Sequence, residues 1–299
     1  KSEGYQYALH RISANLNKQG KYIEYVKGLT AYFKYKEVSD NFDSLFDELI
    51  EKMKLIKDLM FRKDNLIINI TSDKEGIEIV KNNAEEILNI FDTTPVEKID
   101  IKFDEFKPGE AFLTSSDVVF ASTGAKFFDK DFKYSGKIEV LKNYLSSDYL
   151  FNKIRILGGA YGAWVSLNPV SGIMTYSSYR DPNVKQTYEA YEGISEHISK
   201  FQIDNDTFDN IKIGAYSAFD PLQSPNGKGI KARNDYLAGE KKERVEKTID
   251  EILETTQQDI RDTAGQLKKF NDNSIKSIIG CSELIKKDAN LFSELIEIK

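Results

Sequence analysis

Two β-like runs, residues 161–167 and 173–179, are separated by Asn168, Pro169, Val170, Ser171 and Gly172. A turn-forming set between two such runs predicts a β-hairpin. Isolated strand pairs are barely stable in water, so a hairpin implies a larger sheet. Further strands are expected at 111–121, 274–280 and 291–298, through Phe112, Val118, Val119, Phe120, Ile275, Ile278 and Ile279. Helical spacing covers 138–144 and continues over 149–154. Asp181 and Pro182 read as the start of a helix carrying Val184, Tyr188, Tyr191, Ile194 and Ile198. More helices are expected at 207–219, at 244–253, and from a Thr255 or Thr256 cap to Phe270, while 221–229 reads as loop. Strands, then helices, then strands again predict an α+β domain over 111–299, an antiparallel-rich sheet with helices packed on one face.

The first part of the chain reads differently. Tyr5, Ala8, Leu9, Ile12 and Leu16 line one face of a helix, and Gly20 and Gly28 punctuate the next stretch. Residues 42–61 carry a strong apolar stripe after Asp40 or Asn41 as cap, and 75–91 return to helical spacing. Between them Leu66, Ile67, Ile68, Asn69 and Ile70 form a β-branched run that reads as a strand. A lone strand has no ladder partner. The expectation is therefore a partial, mostly helical domain over 1–92 whose sheet partners precede Lys1, in a chain cut from something longer. Residues 93–110, with Pro95 and Pro108, read as linker.

The 299 residues leave room for two domains. Lysine and arginine number 42 against 48 acidic residues, a net charge of −6 that argues against nucleic acid as partner. No apolar run approaches a membrane span, and no basic-then-apolar signal peptide opens the sequence. Cys281 is the single cysteine, and His10 and His197 are the only histidines. His197 stands in Glu196-His197-Ile198-Ser199, which matches no zinc-ligand spacing, so no metal site and no cofactor are expected within the chain. His10 and His197 read as structural or surface residues, Cys281 as a small buried hydrophobe and Trp164 as core.

Chemistry concentrates at Arg155-Ile156-Leu157-Gly158-Gly159-Ala160-Tyr161-Gly162. Three glycines in eight residues permit unusual backbone angles and close approach of another chain. A phosphate loop does not fit, because a strand follows and Lys-Ser/Thr is missing. The segment is otherwise a plain turn. Arg155 offers five donors in a fixed fork and Tyr161 one hydroxyl. Together they can hold a peptide carbonyl and stabilise a developing oxyanion. In Ser178-Tyr179-Arg180-Asp181-Pro182-Asn183, a capped helix start accounts for Asp181 and Pro182 and leaves Arg180 unexplained.

These two segments, about twenty residues apart, resemble the C-terminal portion of the presequence protease/falcilysin branch of the insulinase-like (pitrilysin) zinc metallopeptidases. Tyr188-Glu189-Ala190-Tyr191-Glu192-Gly193, Asp220-Pro221-Leu222-Gln223-Ser224-Pro225 and Leu253-Glu254-Thr255-Thr256 fall where that family has comparable stretches. Residues 8–35, with Gly28-Leu29, are similar to its third-domain helices. The resemblance implies an insulinase/mitochondrial-processing-peptidase-like domain, the fourth of four in two halves that close around an unstructured peptide. It also implies that Arg155 and Tyr161, with Gly158 and Gly159 in their loop, bind substrate backbone near the scissile bond.

The family's His-x-x-Glu-His motif does not occur in this chain, and no catalytic residue is assigned in it. The expectation is a substrate-clamping portion, inactive alone. Zinc, which activates water, and the general base would come from an N-terminal half that is also its partner. The alternatives are a non-catalytic partner subunit and a freestanding peptide-binding module. The lone cysteine and missing signal fit a reducing interior, the cytoplasm or an organelle matrix.

Overall fold

The computed structural model describes residues 4–94 and 100–298. In chain order it opens with helices α1 (Gly4–Leu16), α2 (Lys18–Lys27), α3 (Leu29–Asp40), α4 (Phe42–Met60) and α5 (Lys74–Leu88). Strands β1 (Glu110–Thr114) and β2 (Val119–Lys126) come next, then α6 (Gly136–Tyr144), β3 (Gly162–Leu167) and β4 (Ile173–Tyr179). After the hairpin stand α7 (Lys185–Glu192), α8 (Ile194–Ser199), α9 (Asn205–Ser217), α10 (Pro225–Ala238), α11 (Lys242–Glu254), α12 (Gln257–Asp262) and α13 (Ala264–Asn273). Strand β5 (Ile275–Cys281), α14 (Ser282–Lys287) and β6 (Glu294–Glu297) complete it. No described helix is long and apolar enough to cross a membrane.

The six strands form one sheet in the order β3-β4-β2-β5-β1-β6. Its α+β, antiparallel-rich character is as the sequence predicts. Pairs β3/β4, β4/β2 and β2/β5 are antiparallel, and β1 runs parallel to both β5 and β6. The predicted hairpin is β3/β4, with Gly162 opposite Tyr179 and Leu167 opposite Met174.

Alternation along the central strands sorts side chains to two faces. Ala111, Leu113, Val119, Ala121, Tyr176 and Ile278 face the large core under α6 to α9, α12 and α13. Phe112, Phe120 and Ile279 face the other way and are covered by Ala8 of α1 and by Leu29. The full burial of Phe112 contributes about 1.5–3 kcal/mol by area, so α1 is bound to the sheet by the same force that builds the main core. By compactness the described chain forms two units. One comprises residues 4–33, 103–220 and 245–298, the other residues 34–94, 100–102 and 221–244. The helices at 4–33, expected within a separate 1–92 domain, therefore pack with the sheet.

Within the second unit α4, α5 and α10 bury no residue fully. Asp73 caps α5 by accepting from the Gly76 amide at 2.8 Å. The run 66–70 is not a strand: it has no ladder partner among the described residues, and Ile67, Ile68 and Ile70 stay exposed. Part of the expected loop at 221–229 is the first turn of α10. Ser224 caps it and Pro225 takes the first position, where a missing N–H costs nothing. The expected strand at 111–121 is two strands. Ser116 and Thr114 hydroxyls accept from the Val118 and Ser116 amides, and that turn separates β1 from β2. Of the expected linker, residues 93–94 and 100–109 carry no helix or strand, and Pro95 lies outside the described residues.

Candidate functional site

The chain between α6 and β3 winds as π-helix over Leu145–Tyr149 and Phe151–Ile156, where an ordinary helix is expected. The Leu157 amide reaches back five residues to the Asn152 carbonyl at 3.0 Å. Such wide turns concentrate at functional sites. Here the winding turns Ile154 into the core and leaves Arg155, Ile156 and Leu157 exposed. The Gly159 amide donates to the Arg155 carbonyl and the Ala160 amide to the Ile154 carbonyl, both at 3.0 Å, which stops the helix. Gly159 takes φ +80°, a left-handed conformation in which a side chain is strained. A Cβ on Gly158 would lie 2.6 Å from the Ile154 carbonyl oxygen. Both glycines are thus required by the turn.

Arg155 and Tyr161 emerge on either side of this turn. The Arg155 guanidinium carbon lies 5.1 Å from the Phe151 ring centre and 5.9 Å from that of Tyr161. Tyr161 is 68 % exposed, so its hydroxyl is available to a ligand. Its ring stands 6.0 Å from Tyr179, which belongs to an aromatic row with Tyr5, Phe120 and the half-buried Trp164.

The second motif is the scaffold of the first. The Tyr161 amide donates to the Tyr179 carbonyl at 3.0 Å, and Asn183 Nδ2 donates to the Gly158 carbonyl at 2.6 Å. Asp181 and Val119 exchange both backbone hydrogen bonds, at 2.8 and 2.9 Å. The β2/β4 ladder has Ser122 opposite Ser177, so the Val119–Asp181 pair is one residue out of step. Residues 178–180 face only 120–121, a β-bulge. Side chains satisfy the backbone groups it frees. The Ala121 amide donates to Ser178 Oγ at 3.3 Å, and Tyr191 Oη donates to the Ala121 carbonyl at 3.1 Å.

Asp181 is therefore not a helix cap. It is fully buried, accepts from Thr187 Oγ1 at 2.7 Å and from the Asn183 amide at 2.9 Å, and α7 begins four residues later. Burial pushes its carboxyl above the usual range against the pull of these donors. Asn183 is a positioning residue that the sequence does not single out. Pairing the predicted hairpin through to its open end, 162 against 179, would place 180–183 beside 158–161.

The other singled-out residues lie elsewhere. His10 is half-buried on α1, its pKa lowered by desolvation and by Lys27. His197 Nε2 and Tyr144 Oη are 2.7 Å apart, and burial lowers the His197 pKa. Cys281 ends β5, half-buried. Among the described residues no three His, Cys, Asp or Glu side chains are grouped to hold a metal.

A mixed sheet clad with helices is a fold that this chain shares with a peptidase. Pitrilysin's crystal structure matches 94 % of this chain and 30 % of its own at TM-score 0.54, with 12 % identity, a likeness of fold alone. The chain belongs to the family described as PreP C-terminal domain, which it matches over residues 109–282. It is 29 % identical to Protein HypA of Clostridium perfringens (strain 13 / Type A) over 98 % of this chain and 30 % of that protein. It is 25 % identical to Presequence protease 1, chloroplastic/mitochondrial, of Arabidopsis thaliana over 100 % of this chain and 28 % of that one. The chain thus spans less than a third of these two curated relatives.

Proposed function

We propose that this chain is the substrate-clamping part of a zinc-dependent oligopeptidase that degrades unstructured peptides, and that Arg155 and Tyr161 hold the peptide backbone. The observation that carries this reading is the turn itself. Two segments about twenty residues apart are bonded together at Gly158–Asn183 and Tyr161–Tyr179, and the result is to present an Arg and a Tyr outward. The guanidinium edge and the phenol hydroxyl are both donors, suited to one carbonyl oxygen and better suited to the charge it gains on attack. Membership of the presequence-protease C-terminal family supports the substrate class.

Zinc and the general base would come from polypeptide outside this chain, and by itself the chain would cleave nothing. The region 111–299 would serve as the fourth-domain-like unit, and the N-terminal catalytic half would be its partner. Cys281 as lone, half-buried thiol is in keeping with a reducing compartment, the cytoplasm or an organelle matrix.

The experiment is the intact mass and zinc content of the native protein from its source. A chain much larger than 34.1 kDa that carries zinc is expected. A native mass near that value without zinc would contradict the reading and leave a partner subunit or a peptide-binding module.

A further inference from the structure

The chain has seven arginines. Five have polar partners. Arg11 pairs with Glu24, Arg62 with Asp64 and Arg244 with Glu240, while Arg233 bonds Asn234 and Arg261 bonds the Phe201 carbonyl and Gln258. The two left without an acid or hydrogen-bond partner among the described residues are Arg155 and Arg180. They belong to the two segments that build the turn.

Arg180 is also conformationally singular. It is the extra residue of the bulge, at φ +50°. Every other described residue with positive φ is a glycine: Gly109, Gly159, Gly172, Gly239 and Gly280. Glycine would sit there without strain, so what the position retains is the arginine side chain. That side chain is exposed. Arg180 follows directly on Tyr179, whose carbonyl accepts from the Tyr161 amide at 3.0 Å.

The two arginines differ in what they can receive. Arg155 lies against the Phe151 and Tyr161 rings, and a guanidinium with its faces so occupied offers edge N–H groups to a neutral carbonyl. Among the described residues no ring lies against Arg180. Its adjacent acid, Asp181, is buried and turned to Thr187 and Asn183, and so does not neutralise it. An uncompensated, exposed guanidinium fork is matched best by a carboxylate, in bidentate geometry.

We propose that Arg180 is a second substrate-binding residue, which receives a carboxylate of the peptide whose backbone Arg155 and Tyr161 hold. This rests on the peptide-clamping function proposed above. The carboxylate has two sources, the peptide C-terminus and an acidic side chain.

The test uses the intact gene product and one unstructured peptide in three forms: free acid, C-terminal carboxamide, and free acid with its acidic side chains replaced by amides. The parent protein should prefer one carboxylate-bearing form over its amide by about tenfold in kcat/KM, the worth of one charge-assisted hydrogen bond. The form that loses the preference identifies which carboxylate is bound. Arg180→Gly, which relieves the backbone and should keep or raise the Tm, should reduce the preference to about one. Arg180→Lys should restore part of it. A parent without preference, or an Arg180→Gly protein that keeps it, overturns the proposal. Failure of the clamping function looks different: the parent then neither binds nor cleaves any form.

Discussion

Asn183 Nδ2 donates to the Gly158 carbonyl at 2.6 Å, so that a side chain from the loop after β4 sets the backbone of a turn 25 residues earlier. Asn183→Ala should cost about 0.5–1.5 kcal/mol of stability, the worth of one such bond. It should also lower peptide affinity in the intact protein, since Arg155 and Tyr161 flank Gly158. Paired denaturant titrations and peptide-binding curves check this. Lost stability with unaltered binding would mean that the bond does not set the site.

Gly159 stands at φ +80° with Pro182 no closer than ordinary van der Waals contact to a Cβ position. Gly159→Ala should therefore lose stability through the backbone alone, by about 1–2 kcal/mol. Chemical denaturation reads this directly, and a neutral substitution would show that the turn relaxes freely.

Asp181 yields a pH dependence whose sign is set by its burial. Its folded-state pKa lies above the unfolded value, so the folded state binds the proton more tightly. Its contribution is fully present below the unfolded pKa and is lost as pH rises through the folded one. Relative to the parent, Asp181→Asn should gain stability across that acidic window as pH is raised. Unfolding free energies at a series of pH values test it, and a difference that stays constant or runs the other way would contradict the assignment.

Arg11 of α1 lies between two buried acids. It is 3.3 Å from Glu24 and 3.2 Å from Glu110, the latter close enough to pair but not aligned as a hydrogen bond, and its guanidinium sits 4.5 Å over the Phe106 ring. Arg11→Ala would leave Glu24 without its ion-pair partner and Glu110 with only the more distant Lys107. A loss of about 3–5 kcal/mol is expected. A loss below about 1 kcal/mol, read by urea denaturation, would show that the acids reach water or protonate instead.

The parts of the fold legible in the sequence are those set by local chemistry. The β3/β4 hairpin is dictated by alternation on either side of Asn168–Gly172, and the start of α12 by Thr256, whose hydroxyl accepts from the Asp259 amide while Asp259 reciprocates. The illegible parts depend on distant partners. Residues 66–70 have strand composition, but a strand exists only if another chain segment supplies its ladder. Pro225, Gly227 and Gly229 look like breakers, yet Pro225 occupies the one helical position that suits it. Asp181 followed by Pro182 has the letters of a helix start, but the Val119 backbone claims Asp181 for the sheet. Arg155 and Tyr161 stand out by residue type beside a glycine turn. Arg180 gains meaning only from its φ and from having no polar partner among the described residues, neither of which a sequence displays.

The central claim, that Tyr161 and Arg155 hold the peptide, turns on a single oxygen atom. Tyr161→Phe removes the hydroxyl and keeps the ring that packs against Tyr179. The measurement is kcat/KM of the intact protein for an unstructured peptide, with and without this change. The account predicts a fall of roughly 10- to 100-fold at unaltered Tm, somewhat less than for a fully enclosed oxyanion donor because Tyr161 is exposed. A value within about twofold of the parent would contradict it.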